Sequence, residues 1–480
     1  MFLTSAGDAE PCPAAEVSAA RSGSLDARLA LVALACTLLP ALVTLDATIA
    51  NVAQRTFVDQ FSSTPAVVAW TVTGYSLALA AAIPITGWAA GRVGTKVLAL
   101  GSVALFSWAS LLCAQAPSVA LMVTFRVLQG FAGGTLVPLQ LAILAHAAGP
   151  RRMGRVLPIS TVPALLTPIY GPMLGGWLIG SFGWQAVFLI NVPIGLLTLI
   201  VAGFVLPENV PAPEKGLDGV GFLLLSPGLA LFLYGVSQLP EHRAFAEAHV
   251  PAAAGVLLIG AFVVRALRRP EGALIDLRLL KHRDVAAANA VRFLFAIAFF
   301  GSCLILPGYF QQVLWKTPLQ AGMLLVPQTL GAAAVRPIVG RLTQRYGARR
   351  VVLTGIALGA AGLTAFVCGI RGDIGKLMAG LALLGIGSGC VATPVSRSAV
   401  QTLPDRRIGD GTTLFNVNHH VAACVGAALM SVILTDGATH ATADISRAYG
   451  GAFLVALALL AAAAVPASFL PRGADGRRAR

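Results

Sequence analysis

The sequence predicts an all-α integral membrane protein: two six-helix bundles related by a pseudo-two-fold axis, with two extra central helices between them. Three observations predict this class. Of 480 residues, 57% are hydrophobic and only 11% charged, whereas soluble domains carry about 25% charged residues; mean hydropathy is +0.80. Apolar stretches of about 18 to 25 residues recur from Leu29 to Leu470, each long enough to cross a hydrocarbon core of about 30 Å as a helix. One loop pattern also occurs twice. "GWAAGRVGTKVL" (Gly87 to Leu98) closes the second stretch and "GRLTQRYGARRVVL" (Gly340 to Leu353) the tenth, each with paired glycines seven apart, Arg just before the second and cations after it.

Taken in order, spans one to four are read at Leu29 to Ala53, Ala66 to Ala90, Val97 to Ala116 and Val119 to Leu144. Span five, Val156 to Ile179, is broken by Pro158, Pro163, Pro168 and Pro172, and span six is Trp184 to Leu206. Spans seven and eight, Val220 to Gln238 and the short Val250 to Ala266, are the extra pair. Spans nine to fourteen follow at Val285 to Phe310, Gln320 to Gly340, Val351 to Ile370, Leu377 to Val395, Thr412 to Leu434 and Tyr449 to Leu470. The count is fourteen, or twelve to thirteen if spans five or eight fail to cross. The expected division is a tail at 1–27, bundles at 28–207 and 271–470 flanking the pair at 208–270, and a second tail at 471–480.

A net charge of +14 suggests nucleic acid, but the placement of the cations excludes it. With the N-terminus in the cytoplasm, the 34 Lys and Arg residues divide into about 25 cytoplasmic, about 6 external and 3 within spans, the asymmetry of the positive-inside rule. Both termini are therefore expected on the cytoplasmic side of a cell membrane. Residues 1–27 have no basic segment leading into a short apolar core, so they read as a tail rather than a secretion signal. The seven cysteines are scattered without paired spacing, which suggests neither a metal site nor a disulfide scaffold. No nucleotide loop and no nucleophile with a base at recognisable spacing is present, so neither an enzyme nor a cofactor is expected.

The quoted stretches resemble the major facilitator superfamily, specifically its fourteen-span drug:proton antiporter branch, over nearly the whole chain. "LDATIANVA" looks like that branch's first-span motif, "WTVTGYSLALAAAIPITG" its second span, and "GWAAGRVGTKVL" the signature loop between spans two and three. "RVLQGFAGG" (Arg126 to Gly134) is similar to the fourth-span arginine motif, "GPMLGG" (Gly171 to Gly176) to the fifth-span antiporter motif, and "FLINVPIG" (Phe188 to Gly195) to the sixth-span signature. The resemblance implies proton-driven efflux of small molecules, with the first-span acid and fourth-span arginine in coupling. Position 91, where the family usually has an acid, is Gly91 here, and Gln344 stands at the matching place in the second half. Arg92 and Lys96 therefore need another partner.

Asp46 is the one acid of twenty embedded in a span on this reading. An ionised carboxylate near mid-membrane costs at least about 2.5–3.5 kcal/mol. Three basic residues share that environment. Arg292 and Arg336 lie close enough to the cytoplasmic ends of spans nine and ten to snorkel, whereas Arg126 cannot. Asp46 is about seven residues short of the outer end of span one and Arg126 about seven into span four, which puts both roughly 10 Å below the outer boundary. Burial favours the neutral acid and a guanidinium favours the carboxylate. The pair can then exchange a proton for cargo by competing occupancy; a structural ion pair joining spans one and four is the alternative.

Gly87, Arg92, Gly94 and Lys96 are expected at a conformational gate, and Gly171, Pro172, Gly175 and Gly176 at a tight seam on span five. Asn416, His419 and His420 share a face of span thirteen by their spacing, and with Trp70, Tyr75, Gln129 and Gln328 they are the candidate cavity residues. The expected partners are a lipophilic small molecule, protons and the bilayer, with no nucleic acid, and a monomer driven by the proton gradient. Proton-linked uptake by the same fold, or a non-transporting membrane sensor or enzyme, are the competing readings.

Overall fold

The helix boundaries follow from local chemistry. Pro65 and Pro318 open spans two and ten at positions where a missing N–H is harmless. The Thr64 and Thr317 hydroxyls accept from the N–H groups of Val67 and Gln320, and the Gln320 side chain answers in a capping box. Gly94 and Gly347, the second glycines of the repeated loop, close spans two and ten with φ of 83° and 84°, a conformation that a Cβ disfavours. The repeat is thus geometric as well as textual.

The computed structural model describes residues 27–208, 218–237, 245–269, 274–368, 373–404, 407–440 and 445–471; side chains are described there except at 27–28, 145–146, 149–169, 245–248, 408–409 and 436–440. The described residues are helical, with no strand among them, and thirteen helices are long and apolar enough to cross a membrane. The expected tails, Cys12, the Arg151, Arg152 and Arg155 side chains and three of the span-five prolines fall outside this description. Span one runs Ala27–Gln60, so Asp59, read as lying beyond it, sits in its last turn and pairs with Arg55 at 2.8 Å. Span eight runs Phe245–Arg268, longer than the apolar run implied, because the helix continues through polar ends. Span thirteen runs Ile408–His440 and so includes Asp436, read as past its end.

Spans four and five, expected as separate helices, form one helical segment, Val119–Phe182, of 64 residues. A straight helix would put Arg126 and Gly171 about 68 Å apart. Both nevertheless lie against span one near Asp46. The helical path therefore doubles back and supplies two crossings.

The two halves are built alike. Gly130 and Gly134 of span four lie against the backbone of Tyr75 and Leu79 on span two, and Gly385 and Gly389 of span twelve lie likewise against Gln328 and Ala332 on span ten. Small residues let the second and fourth helix of each half approach closely. Between the halves, spans five and ten meet at one seam, and span thirteen meets span two at the other, with the Cys424 thiol 3.5 Å from the Thr73 carbonyl. Span seven covers this second seam: Leu229 and Leu233 pack with Leu77, Cys424 and Ala428. Large apolar side chains such as Phe204, 89% exposed, and Leu257, 74% exposed, face outward, as a lipid-facing surface requires.

Candidate functional site

Asp46 and Arg126 meet. Arg126 Nη1 donates to Asp46 Oδ2 at 2.5 Å, and the side chains are 0% and 1% exposed, so the pair is sealed within the N-terminal half. Pro40 lies within the span-one helix before Asp46, and the close Gly130–Tyr75 approach packs span four on span two, where the guanidinium also reaches the Thr71 carbonyl. Arg126 Nε donates to the Thr71 carbonyl at 2.9 Å, Nη1 also donates to Gln129 Oε1 at 2.7 Å, and Cζ lies 4.0 Å from the Tyr75 ring centroid. A cation over an aromatic face is attracted to it, more so when desolvated. The carboxylate's other oxygen accepts from Gln129 Nε2 at 3.1 Å and from Asn191 Nδ2 at 2.7 Å.

Asn191 and Ser110 were missed by the sequence reading. Asn191 Nδ2 also lies 3.0 Å from Ser110 Oγ, and Ser110 donates to the Phe188 carbonyl at 2.9 Å. Span six keeps a helical conformation through Ile190 (φ −62°, ψ −27°), and Asn191 on it faces span one. The "FLINVPIG" stretch contained the signal, an amide in an apolar segment, but assigned it no partner. Two amide donors and one guanidinium therefore offset a buried charge that would otherwise be prohibitive.

The other expected residues divide. Tyr75 and Gln129 belong to the network. Trp70 instead packs on Tyr234 of span seven with ring centroids 6.2 Å apart. Gln328 is buried in the other half, its amide 3.3 Å from Cys303 Sγ. His419 and His420 lie together, ring centroids 5.1 Å apart, with His419 edge-on to Phe300 and Asn416 only partly buried. Arg336 is exposed, and Arg292 is half-buried, its Nε enclosed and its Cζ 5.2 Å from the Phe415 ring.

At the seam, a methyl group on Gly171 would overlap the Thr48 hydroxyl, one on Gly176 the Pro318 carbonyl, and one on Gly322 the Pro172 carbonyl; Gly175 rests on Ile49. Span five is thus packed tightly on span one at Thr48 and Ile49 and in backbone contact with the start of span ten. Gly87 differs from this set, since a Cβ there would meet nothing within 4 Å. In the absence of an acid at position 91, Lys96 reaches Glu208 at 3.8 Å and Arg92 stacks on Trp88 at 5.0 Å.

A second buried carboxylate lies at the start of span seven. Asp218, with its side chain 4% exposed, accepts from Arg265 Nη2 at 2.8 Å, from the Gly221 N–H at 3.0 Å and from the Leu274 N–H at 3.2 Å. Burial pushes this carboxyl up, but the hydrogen bonds from Arg265, Gly221 and Leu274 outweigh it and hold it below the usual carboxylate range. It clamps the extra helix pair to the segment that leads into span nine.

A model of the Major Facilitator Superfamily matches residues 36–277 and 288–479. The chain is 45% identical over 523 residues to the Multidrug resistance protein B homolog of Mycobacterium tuberculosis, covering 98% of this chain and 97% of that one. It is 27% identical to the Multidrug export protein EmrB of Escherichia coli, with 85% and 81% covered. Among solved structures, a bacterial homolog of the human lysosomal transporter Spinster superposes with a TM-score of 0.66 at 15% identity, covering 93% and 97%. The POT family transporter PepTSo gives 0.65 at 14%, covering 92% and 99%. Identities that low speak to the fold alone.

Proposed function

The chain belongs to the major facilitator superfamily, and from that premise we propose that it expels lipophilic small molecules from the cytoplasm in exchange for protons, with Asp46 as the proton carrier and Arg126 as its partner. It is a multi-pass membrane protein of a transporter family rather than an enzyme. Export, rather than uptake, is supported by relatives named for multidrug resistance and export. The observation that carries the coupling reading is the sealed Asp46–Arg126 pair with its three amide and guanidinium donors.

Competition supplies the mechanism. A proton on Asp46 weakens its hold on Arg126 and frees the guanidinium; cargo that engages Arg126 or the amides displaces the carboxylate. Occupancy by proton and by cargo is then mutually exclusive, and alternating access converts that exclusion into antiport. Because both side chains are sealed, proton exchange requires the halves to rock apart. With cytoplasmic tails in a cell membrane, the Gly171–Gly176 seam against span ten lies outward, and this conformation is closed to the outside. The bundles at 28–207 and 271–470 are the rocking units, acting as a monomer with the proton gradient as energy source and no cofactor.

The test is substrate-dependent proton flux in proteoliposomes, with an entrapped pH dye and a panel of lipophilic antibiotics. Opposed movement of protons and drug is expected. Movement in the same direction, or drug transport indifferent to the gradient, refutes the proposal.

A further inference from the structure

The C-terminal half holds a partly buried basic cluster that the coupling mechanism leaves unused. Seven buried side-chain polar atoms among the described residues have no hydrogen-bond partner, and three of them lie where span nine packs on span thirteen: Asn289 Oδ1, Arg292 Nε and His419 Nδ1. Asn289 and Arg292 are one turn apart on a single face of span nine. The Asn418 side chain donates to the Asn289 carbonyl at 2.9 Å, which fixes the adjacent His419 at the same level. Arg292 lies within electrostatic reach of both His419 and His420. Among the described residues no carboxylate pairs with Arg292, and the acids described from residue 274 onward, Asp276, Asp284, Asp373, Asp410 and Asp436, lie outside helices or near helix ends. Phe300 and Phe415 supply aromatic walls beside His419 and Arg292.

Arg292 is half-buried, has one enclosed donor without a partner and no counter-charge among the described residues, so an anion that reaches it gains a charge-assisted contact. We propose that Arg292, His419 and Asn289 form a binding site for the anionic group of an aromatic organic acid, which makes lipophilic anions a cargo class of this transporter. Arg292 Nε and the Nδ1–H of a neutral His419 donate to the carboxylate or sulfonate. Asn289 Oδ1 accepts from a hydroxyl or amide N–H on the same molecule. Phe300 and Phe415 pack against its ring.

The inference rests on the export reading and deepens it, so its test uses equilibrium binding, which needs neither a gradient nor turnover. The full-length protein in nanodiscs is titrated with 2-naphthoate and with 2-naphthamide, a neutral molecule of the same shape. The wild type is expected to bind naphthoate roughly tenfold tighter, one charge-assisted contact's worth. Arg292→Gln is expected to erase the preference while leaving naphthamide binding in place. His419→Phe keeps the aromatic contact with Phe300 and is expected to reduce the preference, giving a second reading if Arg292→Gln folds poorly. Equal binding of acid and amide by the wild type, or a preference unchanged in both variants of the cluster, overturns the proposal.

Discussion

Asp46→Asn separates a coupling pair from a purely structural one only when combined with Arg126→Gln. In the wild type, Asp46 Oδ2 faces Arg126 and Oδ1 faces two amide donors. An asparagine has one acceptor oxygen, so its NH₂ must point at a donor whichever way it turns. The guanidinium is then left buried without a counter-charge, which costs about 3–5 kcal/mol in comparable sites. The single variant should therefore insert but unfold at a markedly lower temperature. Adding Arg126→Gln removes the stranded charge, and glutamine can bond the asparagine. Most of the lost stability should return, as a coupling energy of about 2–4 kcal/mol in a double-mutant cycle. The assays are thermal unfolding in detergent, pH-driven drug accumulation in proteoliposomes, and drug counterflow without a gradient. Stability recovered with pH-driven transport still absent is the expected pattern. Normal pH-driven accumulation by the double variant refutes the assignment of the proton to Asp46, and wild-type stability in Asp46→Asn refutes the energetic account of the pair.

Asn191→Leu removes a donor at 2.7 Å from Asp46 and should lower unfolding stability by about 1.5–3 kcal/mol, read by chemical denaturation; no change would mean that Asn191 is incidental. Gly176→Ala places a methyl group against the Pro318 carbonyl, so the seam should part and a cysteine substituted at Thr48 should become reactive to an impermeant maleimide, with transport slowed several-fold. Asp218→Asn should loosen the extra helix pair by about 1 kcal/mol, a charge-assisted contribution reduced by solvent at the partly exposed Arg265. Because the folded Asp218 carboxyl titrates below its unfolded value, its contribution is complete above about pH 4 and disappears as pH falls through the folded value. Thermal unfolding of wild type and Asp218→Asn should accordingly converge in acid and diverge at neutral pH.

Depth and sequence order were legible in the chain itself. An apolar run long enough to cross a bilayer marks a span, though its helix can continue through polar residues as at Gln60 and His440, and a rise of about 1.5 Å per residue compares the depths of side chains on different spans. That sufficed to put Asp46 and Arg126 at one level, to find the paired loops around Gly94 and Gly347, and to place the extra helices between two halves. Rotation about each helix axis and choice of lateral neighbour are a different matter, because in a nearly uniform apolar sequence no periodicity says which face is inward. Only packing decided that Asn191 and Ser110 close around the carboxylate, that span seven covers the span-two seam, that Asp218 is a second buried acid, and that Arg292 lies half-buried beside Phe415.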